Sequence, residues 1–297
     1  MKPSLEALAT FAAIVETGGL TAAARREKLA KSVISKRLAD LEAAAGTELV
    51  RRSTRHTQPT EAGTAFYAHA KRILAELDAA LEESACVQGA LRGPLRVAAP
   101  LTFTRLYLSA LFFEFACAHP DIALTLDCDD RRVDIGGGGY DLAIRIGALS
   151  DSTLIARRLG VARQVLVASP AYLAAHGAPQ SPADLARHAC IVYGNAAMAH
   201  QWRFADGTVG VEPRLTVNNG EIMCDAAVAG LGIANLPLFI AAEALRAGKL
   251  ARVLPDESLD EGAIHAVWPA GLAPSRKLRA LIDLLAARLP ERLEPVQ

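Results

Sequence analysis

Between Gly18 and Arg55 the chain reads GGLTAAARREKLAKSVISKRLADLEAAAGTELVRRSTR, and this stretch constrains the fold more than any other. Thr21 can cap a short helix carried by Ala22, Ala23 and Ala24, since alanine is the best helix former. A second helix is expected from about Lys31, with Ile34, Leu38 and Leu41 four and three apart on one buried face. Ser32, Lys36 and Ala39 lie on the opposite face, flanked by Val33 and Ser35. Small and basic residues there suit a helix that approaches base edges and phosphates closely. Gly46 ends that helix, and Leu49 to Arg55 then puts Arg51, Arg52 and Arg55 on a hairpin. Helix, turn, helix and basic wing in this order predict a winged helix-turn-helix that enters a DNA groove.

Charge supports the same expectation. From Arg25 to Arg55 nine basic residues (Arg25, Arg26, Lys28, Lys31, Lys36, Arg37, Arg51, Arg52, Arg55) face four acids (Glu27, Asp40, Glu42, Glu48) in a chain of zero net charge. A solvated helix surface could carry such charge. Its concentration in one segment is the footprint of phosphate binding, and the order of elements decides between the two.

The chain resembles the LysR-type transcriptional regulators. The resemblance rests on Leu5, Leu8 and Phe11, the GGLTAAA turn, Ile34-Ser35, Arg37-Leu38, Leu41-Glu42, Gly46, Arg51-Arg52-Ser53-Thr54-Arg55 and Thr60-Glu61-Ala62-Gly63, and it extends over nearly the whole length. Three residues depart from the pattern. Ala30 stands where the family usually has a serine capping the recognition helix, Lys31 where a glutamine often reads a base, and Pro59 where an apolar residue precedes the Thr-Glu-Ala-Gly turn. The first two bear on base preference and leave the docking mode intact. The candidate DNA contacts are Thr21, Arg25, Lys31, Ser32, Val33, Ser35, Lys36, Arg37, Arg51, Arg52 and Arg55.

At 297 residues the chain is long enough for two or three domains. Leu5, Leu8, Phe11, Ala12 and Val15 recur at helical spacing and predict a first helix packed behind the other two. Thr60 can cap a long helix running to about Val87, in which Phe66, Ala70, Ile73, Leu77 and Ala80 form a heptad seam widened by Leu81. A second copy of the chain is its natural cover; packing on its own domain is the alternative. Phe66, Ala70, Ile73, Leu77 and Leu81 are therefore the candidate dimerisation residues, in a homodimer or homotetramer.

Gln88 to Pro94 reads as a hinge. Beyond it strands and helices alternate: strands at 95–99, 122–128, 141–146, 162–169, 190–193, 214–217 and 264–268, and helices at 102–118, 219–229, 237–247 and 278–289. Such alternation predicts two α/β lobes with mostly parallel, doubly covered sheets. The expected division is a winged helix-turn-helix at 1–59, a linker helix at 60–88, a hinge at 89–94 and a two-lobed domain at 95–297. Lobe I takes about 95–161 and 266–297, and lobe II about 162–265. The resemblance adds the periplasmic-binding-protein-like clamshell with which such regulators sense effectors.

Two strand-to-helix turns are candidate effector ligands. Pro100, Leu101, Thr102, Phe103 and Thr104 offer hydroxyls and helix-start amides in the first lobe, and Asn218 and Asn219 offer amides in the second. Thr102 and Asn219 could each be only a helix cap. By the resemblance the turns face one cleft, with Arg145 nearby, and a small anion would fit there. Trp202 and Tyr193 could line the same pocket or equally be core or surface packing.

Other motifs carry no chemistry. Gly136 to Gly139 invites a phosphate-loop reading but lacks the following lysine, and it reads as a flexible loop near the cleft. The seven histidines lack metal-ligand spacing, and no G-x-S-x-G elbow is present. Five scattered cysteines without a C-x-x-C pair argue against a disulfide framework or zinc site, while a redox-sensing pair stays open. The first residues lack a signal pattern, and no uninterrupted apolar run approaches the roughly 18 residues of a membrane span. The expectation is a cytoplasmic, non-enzymatic regulator with no cofactor, metal or membrane contact. Its partners would be double-stranded promoter DNA and a small-molecule effector, with RNA polymerase as a further one. The rival is a ligand-binding module or enzyme on a periplasmic-binding-like fold, which would leave the basic N-terminal segment unexplained.

Overall fold

A computed structural model describes residues 3–52, 57–84, 90–131, 135, 139–147, 149, 154–195, 199–257, 259, 261–270 and 274–293. The chain opens with three helices, α1 (Leu5–Thr17), α2 (Leu20–Glu27) and α3 (Lys31–Ala45), followed by an antiparallel hairpin of β1 (Val50–Arg52) and β2 (Thr57–Pro59). Ile34, Leu38 and Leu41 are buried with Phe11 and Ile14, as their spacing requires. Gly46 ends α3 in the left-handed region at φ 70°. Thr21 is not the cap of α2: Gly19 occupies that position without a side-chain bond, and Thr21 is exposed in the first turn. Serine at position 4 does cap α1, accepting from the Ala7 N–H at 3.1 Å.

The long helix α4 (Glu61–Ser84) is capped by Thr60, whose hydroxyl accepts from the Gly63 N–H at 2.9 Å and donates to the Glu48 carbonyl at 2.8 Å. The heptad seam does not face one way. Ala70 is buried in the N-terminal core with Tyr67, and Phe66 stacks edge-to-face on Phe11 at 5.6 Å. These two candidate dimerisation residues thus cover their own domain, because a helix leaving so small a bundle must complete its core first. Ile73 is 48% exposed and Leu77 is half-buried. The side chain of Leu81 lies outside the described residues.

The remainder forms two mixed five-stranded sheets. The first has the order β4 (Ile122–Cys128), β3 (Gly93–Ala99), β5 (Leu142–Ile146), β14 (Gly262–Pro269) and β6 (Leu154–Ala162). The second runs β11 (Pro213–Val217), β8 (Cys190–Tyr193), β12 (Ile233–Pro237), β7 (Gln164–Ala168) and β13 (Ala251–Val253). A small hairpin, β9 (Gln201–Phe204) with β10 (Gly207–Gly210), is attached to the second lobe. The sheets are not mostly parallel. β3 pairs parallel with β4 and β5, but β14 runs antiparallel to β5 and β6; in the second sheet β7 runs antiparallel to β12 and β13. The antiparallel strands arise where the chain crosses between lobes, leaving by β6 and returning by β14. A lobe division at 265/266 therefore falls inside one strand, which belongs to the first sheet from Gly262 onward. Gly93 and Pro94, expected in the hinge, already pair with Ile122 and Ala123 as the start of β3.

Helices cover both sheets. A continuous helical span opens with α5 (Leu101–Phe103), passes through a π-helical turn at Thr104–Leu108 and continues as α6 (Ser109–Ala118). By length and a mean hydropathy of 1.3, Leu101–Ala118 could cross a membrane. Arg105 and Glu114 interrupt it, and Leu108, Leu111, Phe112 and Phe115 fill the first lobe's core. α10 (Arg276–Leu293) closes that core with Leu281, Ile282, Leu285 and Leu289. The second lobe is covered by α7 (Pro170–His176), α8 (Gly220–Val228) and α9 (Leu238–Arg246).

Gly63 shows how tightly the linker helix meets the wing. A Cβ there would lie 1.9 Å from the Leu49 carbonyl oxygen, which is backbone and cannot rotate away. Gly63→Ala raises helix propensity yet is expected to destabilise the chain by about 1–3 kcal/mol through overpacking. Urea unfolding checks this; a stabilised variant would mean the helix start relaxes freely.

Candidate nucleic-acid interface and effector cavity

Once the apolar stripe of α3 is buried, its other face is fixed. Lys31, Ser32, Val33, Lys36 and Ala39 are exposed along it, with Ser35 half-buried. Thr21 and Arg25 are exposed on the neighbouring α2, and Arg51 on the wing. The side chain of Arg52 and the whole of Arg55 lie outside the described residues. The wing is tied to α3 by Glu42, whose carboxylate accepts from the Leu49 and Val50 N–H groups at 2.8 and 3.2 Å. Arg37 does not join the outward face. Its guanidinium pairs with Glu6 and donates to the Thr10 hydroxyl at 3.3 Å, bracing α3 against α1.

A second carboxylate orders the back of this domain. Glu16, with a side chain only 3% exposed, pairs with Arg26 at 2.5 Å, accepts from the Tyr67 hydroxyl at 2.9 Å and pairs with Lys71 at 3.1 Å. Burial pushes its carboxyl up, but Lys71 and Arg26 outweigh burial and hold it below its ordinary value.

The cleft lies between the lobes where parallel strands end. The carboxyl ends of β3, β4, β5, β8 and β12 converge there, and their turns line a cavity of about 480 Å³. Of the candidate effector residues, Pro100, Thr102, Phe103 and Arg145 line it. Leu101 is 46% exposed, and Thr104 turns inward beside the Cys128 thiol because the π-turn rotates it away. Asn218 is exposed and lies outside the lining. Asn219 is a helix cap, accepting from the Ile222 N–H at 3.1 Å, but its amide also reaches the other lobe. Tyr193 and Trp202 do line the cavity. The hydroxyl of Thr102 and the amide oxygen of Asn235 are buried there without a hydrogen-bond partner among the described residues. Arg131, Arg203, Asp129, Gln164 and Asn195 add charge and polarity that the sequence reading missed. Gln164 begins β7, and the others sit in loops or on the small hairpin, where no periodic pattern marks them.

One residue at the rim joins the lobes. Asp130, just beyond β4, accepts from the Leu101 N–H at 3.1 Å in its own lobe. From the second lobe it accepts Asn219 Nδ2 at 3.0 Å on its carboxylate, and Asn195 Nδ2 at 3.0 Å and the Tyr193 hydroxyl at 3.3 Å on its carbonyl. Arg105 and Glu221 pair across the same cleft at 2.5 Å. Asp130 thus takes the helix-start amide that was expected to hold a ligand anion. Phe239 of α9 adds an apolar bridge, packing on Phe103 and Tyr107 at ring distances of 5.5 and 5.7 Å.

Among the described residues the cysteines form no disulfide. Cys128, Cys190 and Cys224 are free, and burial raises each thiol, that of Cys190 to about 12. A protonated thiol is a poor nucleophile. Cys117 is free and exposed, and Cys86 lies outside the described residues.

Comparison with known proteins agrees with this architecture. Residues 5–64 match the bacterial regulatory helix-turn-helix protein of the lysR family, and residues 88–290 match the LysR substrate binding domain. The HTH-type transcriptional regulator YhjC of Escherichia coli K12 is 36% identical over 299 residues, covering 98% of this chain and 99% of its own. CrgA of Neisseria meningitidis serogroup C is 33% identical over 297 residues, covering 99% of each. The solved structure of CrgA, a LysR-type transcriptional regulator from Neisseria meningitidis, superposes with a TM-score of 0.58 at 32% identity, covering 97% of this chain and 99% of that one. The chain belongs to the LysR family of transcriptional regulators. It is a non-enzymatic, DNA-binding regulator with an effector-binding domain.

Two outcomes follow from the carboxylates. In a Trp268→Phe background, which leaves Trp202 as the sole tryptophan, Asp130→Ala should open the rim and increase acrylamide quenching of Trp202 fluorescence; unchanged quenching would show that Asp130 does not hold the lobes together. Because the Glu16 carboxyl is depressed in the folded chain, its contribution to stability is present above its ordinary value of 4.5 and lost as pH falls through the folded value. Glu16→Gln should therefore lower stability at pH 7 and narrow the gap to wild type in acid, as measured by urea unfolding at pH 7 and pH 3.

Proposed function

We propose that this regulator docks α3 in the major groove of promoter DNA, with the wing on the flanking backbone, and that a small anionic metabolite in the interlobe cavity modulates that binding. The observation that carries the DNA reading is the outward face of α3. Lys31, Ser32 and Lys36 are exposed together, beside Arg25 and Arg51, on a helix whose opposite face is wholly buried. Short side chains let the helix approach base edges, and the cations meet phosphates. Arg37 has no part in this contact, since it braces α1.

An anionic effector is favoured by the excess of three arginines, Arg131, Arg145 and Arg203, over two aspartates, Asp129 and Asp130, in the lining. The unpaired Thr102 hydroxyl and Asn235 oxygen favour a ligand that also brings a hydrogen-bond donor, such as a hydroxyl or amino group. Each charge-assisted bond to such an anion contributes about 1.5–3 kcal/mol. Asp130 competes for the same helix-start amide, so a ligand anion would displace it and change how the lobes meet. Such a shift biases one assembly geometry over another and thereby promoter access. The chain acts in the cytoplasm as a homodimer or homotetramer. Ile73 and Leu77 remain on the outer side of α4 for a second copy to cover. RNA polymerase is a further partner at the promoter.

Lys36→Ala tests the docking. With an operator selected in vitro from a random library, affinity should fall while the fold persists. A phosphate contact would reduce the salt slope by about one unit, and a base contact would cost roughly 1–3 kcal/mol of discrimination. Unchanged affinity at two salt concentrations would overturn the docking. Separately, Ile73→Asp with Leu77→Asp should shift the full chain toward monomer in analytical ultracentrifugation; an unchanged sedimentation coefficient would assign the dimer contact elsewhere.

A further inference from the structure

Neither the outward face of α3 nor the cavity uses the cluster around Glu16. That carboxylate ends α1, is 3% exposed and gathers Arg26 from α2 with Tyr67 and Lys71 from α4. Its remaining neighbour comes from the first lobe. Gly139 sits at φ +71°, and a Cβ there would come within 2.8 Å of the Glu16 carboxylate. The left-handed φ favours glycine at this point, and a Cβ would in addition force a shift of the Glu16 carboxylate, which Arg26, Tyr67 and Lys71 hold in place.

The next two residues extend the contact. Tyr140 is clamped from within the lobe: the Arg96 guanidinium lies 4.4 Å over its ring, and its hydroxyl donates to Asp127. Asp141 accepts from the Arg96 N–H at 2.8 Å and is half-buried. It lies in the field of Lys71 from the linker helix, of Lys277 from α10 and of Glu16. Lys71 therefore serves carboxylates from both sides of the contact, Glu16 of the N-terminal domain and Asp141 of the lobe. Asp127, which holds Tyr140, stands three residues before Asp130 at the cleft rim.

We propose that the turn 139–141 of the first lobe is a docking seat for the chain's own DNA-binding domain, gripped by the Glu16–Lys71 pair, so that this lobe sets the orientation of α3. The seat explains why glycine occupies the end of the Gly136–Gly139 run, which neither a phosphate-binding loop nor the cleft requires. It also gives the cleft a short covalent and hydrogen-bonded route to the DNA-binding domain, from Asp130 along the end of β4 through Asp127 and Tyr140.

A double-mutant cycle on the full chain, read by thermal unfolding without DNA, tests the contact. Gly139→Ala lowers the melting temperature through backbone strain and through collision with Glu16. Only the second part depends on Glu16. The loss caused by Gly139→Ala should therefore be smaller in a Glu16→Ala background than in the wild type. Equal losses in both backgrounds would overturn the seat. Should Glu16→Ala not fold, Glu16→Asp withdraws the carboxylate by one methylene while keeping its charge, and the same reduction is expected. Because no DNA or effector enters the measurement, its failure is distinct from a failure of the α3 docking, which Lys36→Ala reports.

Discussion

Burial of Ile34, Leu38 and Leu41 against Phe11 and Ile14 decides where every polar residue of the N-terminal domain points. Each fully buried aliphatic side chain contributes about 1.5–3 kcal/mol, far more than an exposed charge does. The helix cannot rotate to satisfy its lysines at the expense of that stripe. The charges accept the face they are given, and the face is the one on which Ser32 and Lys36 stand. Arg37 illustrates the constraint, because its position beside the stripe brings it to Glu6 and Thr10 of α1. Its charge then holds the angle between α1 and α3.

The cavity follows from topology in the same way. Parallel strands β3, β4 and β5 deliver their carboxyl ends to one edge, and β8 and β12 deliver theirs to the facing edge. The chain crosses between the sheets through two long antiparallel strands, which leaves the lobes joined on one side and open on the other. Polar backbone at strand ends has no ladder partner, and water or side chains must serve it. Asp130 does so at the rim by taking one amide of its own lobe and three donors of the other. Asp130 thereby bonds to both lobes at the cleft rim, with its carboxylate and with its backbone carbonyl.

Much of this was legible in the residues. Helical periodicity marked α1 and α3, residue type marked the caps at Thr60 and Gly46, and the change of pattern beyond Leu95 marked seven of the sheet strands to within a few residues. The strand direction was not legible, since burial on both faces looks alike in parallel and antiparallel strands. The heptad in α4 misled for a physical reason: Ala70 and Phe66 repeat every three or four residues because they face their own bundle, and a self-covered face has the same period as a dimer seam. In the cleft, Thr102, Phe103 and Arg145 were found because they adjoin strand ends. Asp130, Asn235, Gln164 and Arg203 were missed because nothing in their local sequence shows which distant strand end they meet. Thr104 failed for a finer reason. A π-turn inserts one extra residue per turn and rotates its hydroxyl from the cleft to Cys128.

The two carboxylates that matter most, Glu16 and Asp130, solve opposite problems. Glu16 lies almost out of water, and two cations with a phenol hydroxyl replace what hydration would have supplied. Removing either cation leaves a buried charge short of partners, so the arrangement favours holding α1, α2 and α4 together. Asp130 is bonded chiefly to amides and one hydroxyl, each neutral and each able to bond to water or to a ligand instead. The two joints therefore differ in partner chemistry: full charges surround Glu16, whereas neutral dipoles surround Asp130, beside the exposed Arg105–Glu221 pair and the Phe239 contact that also cross the cleft.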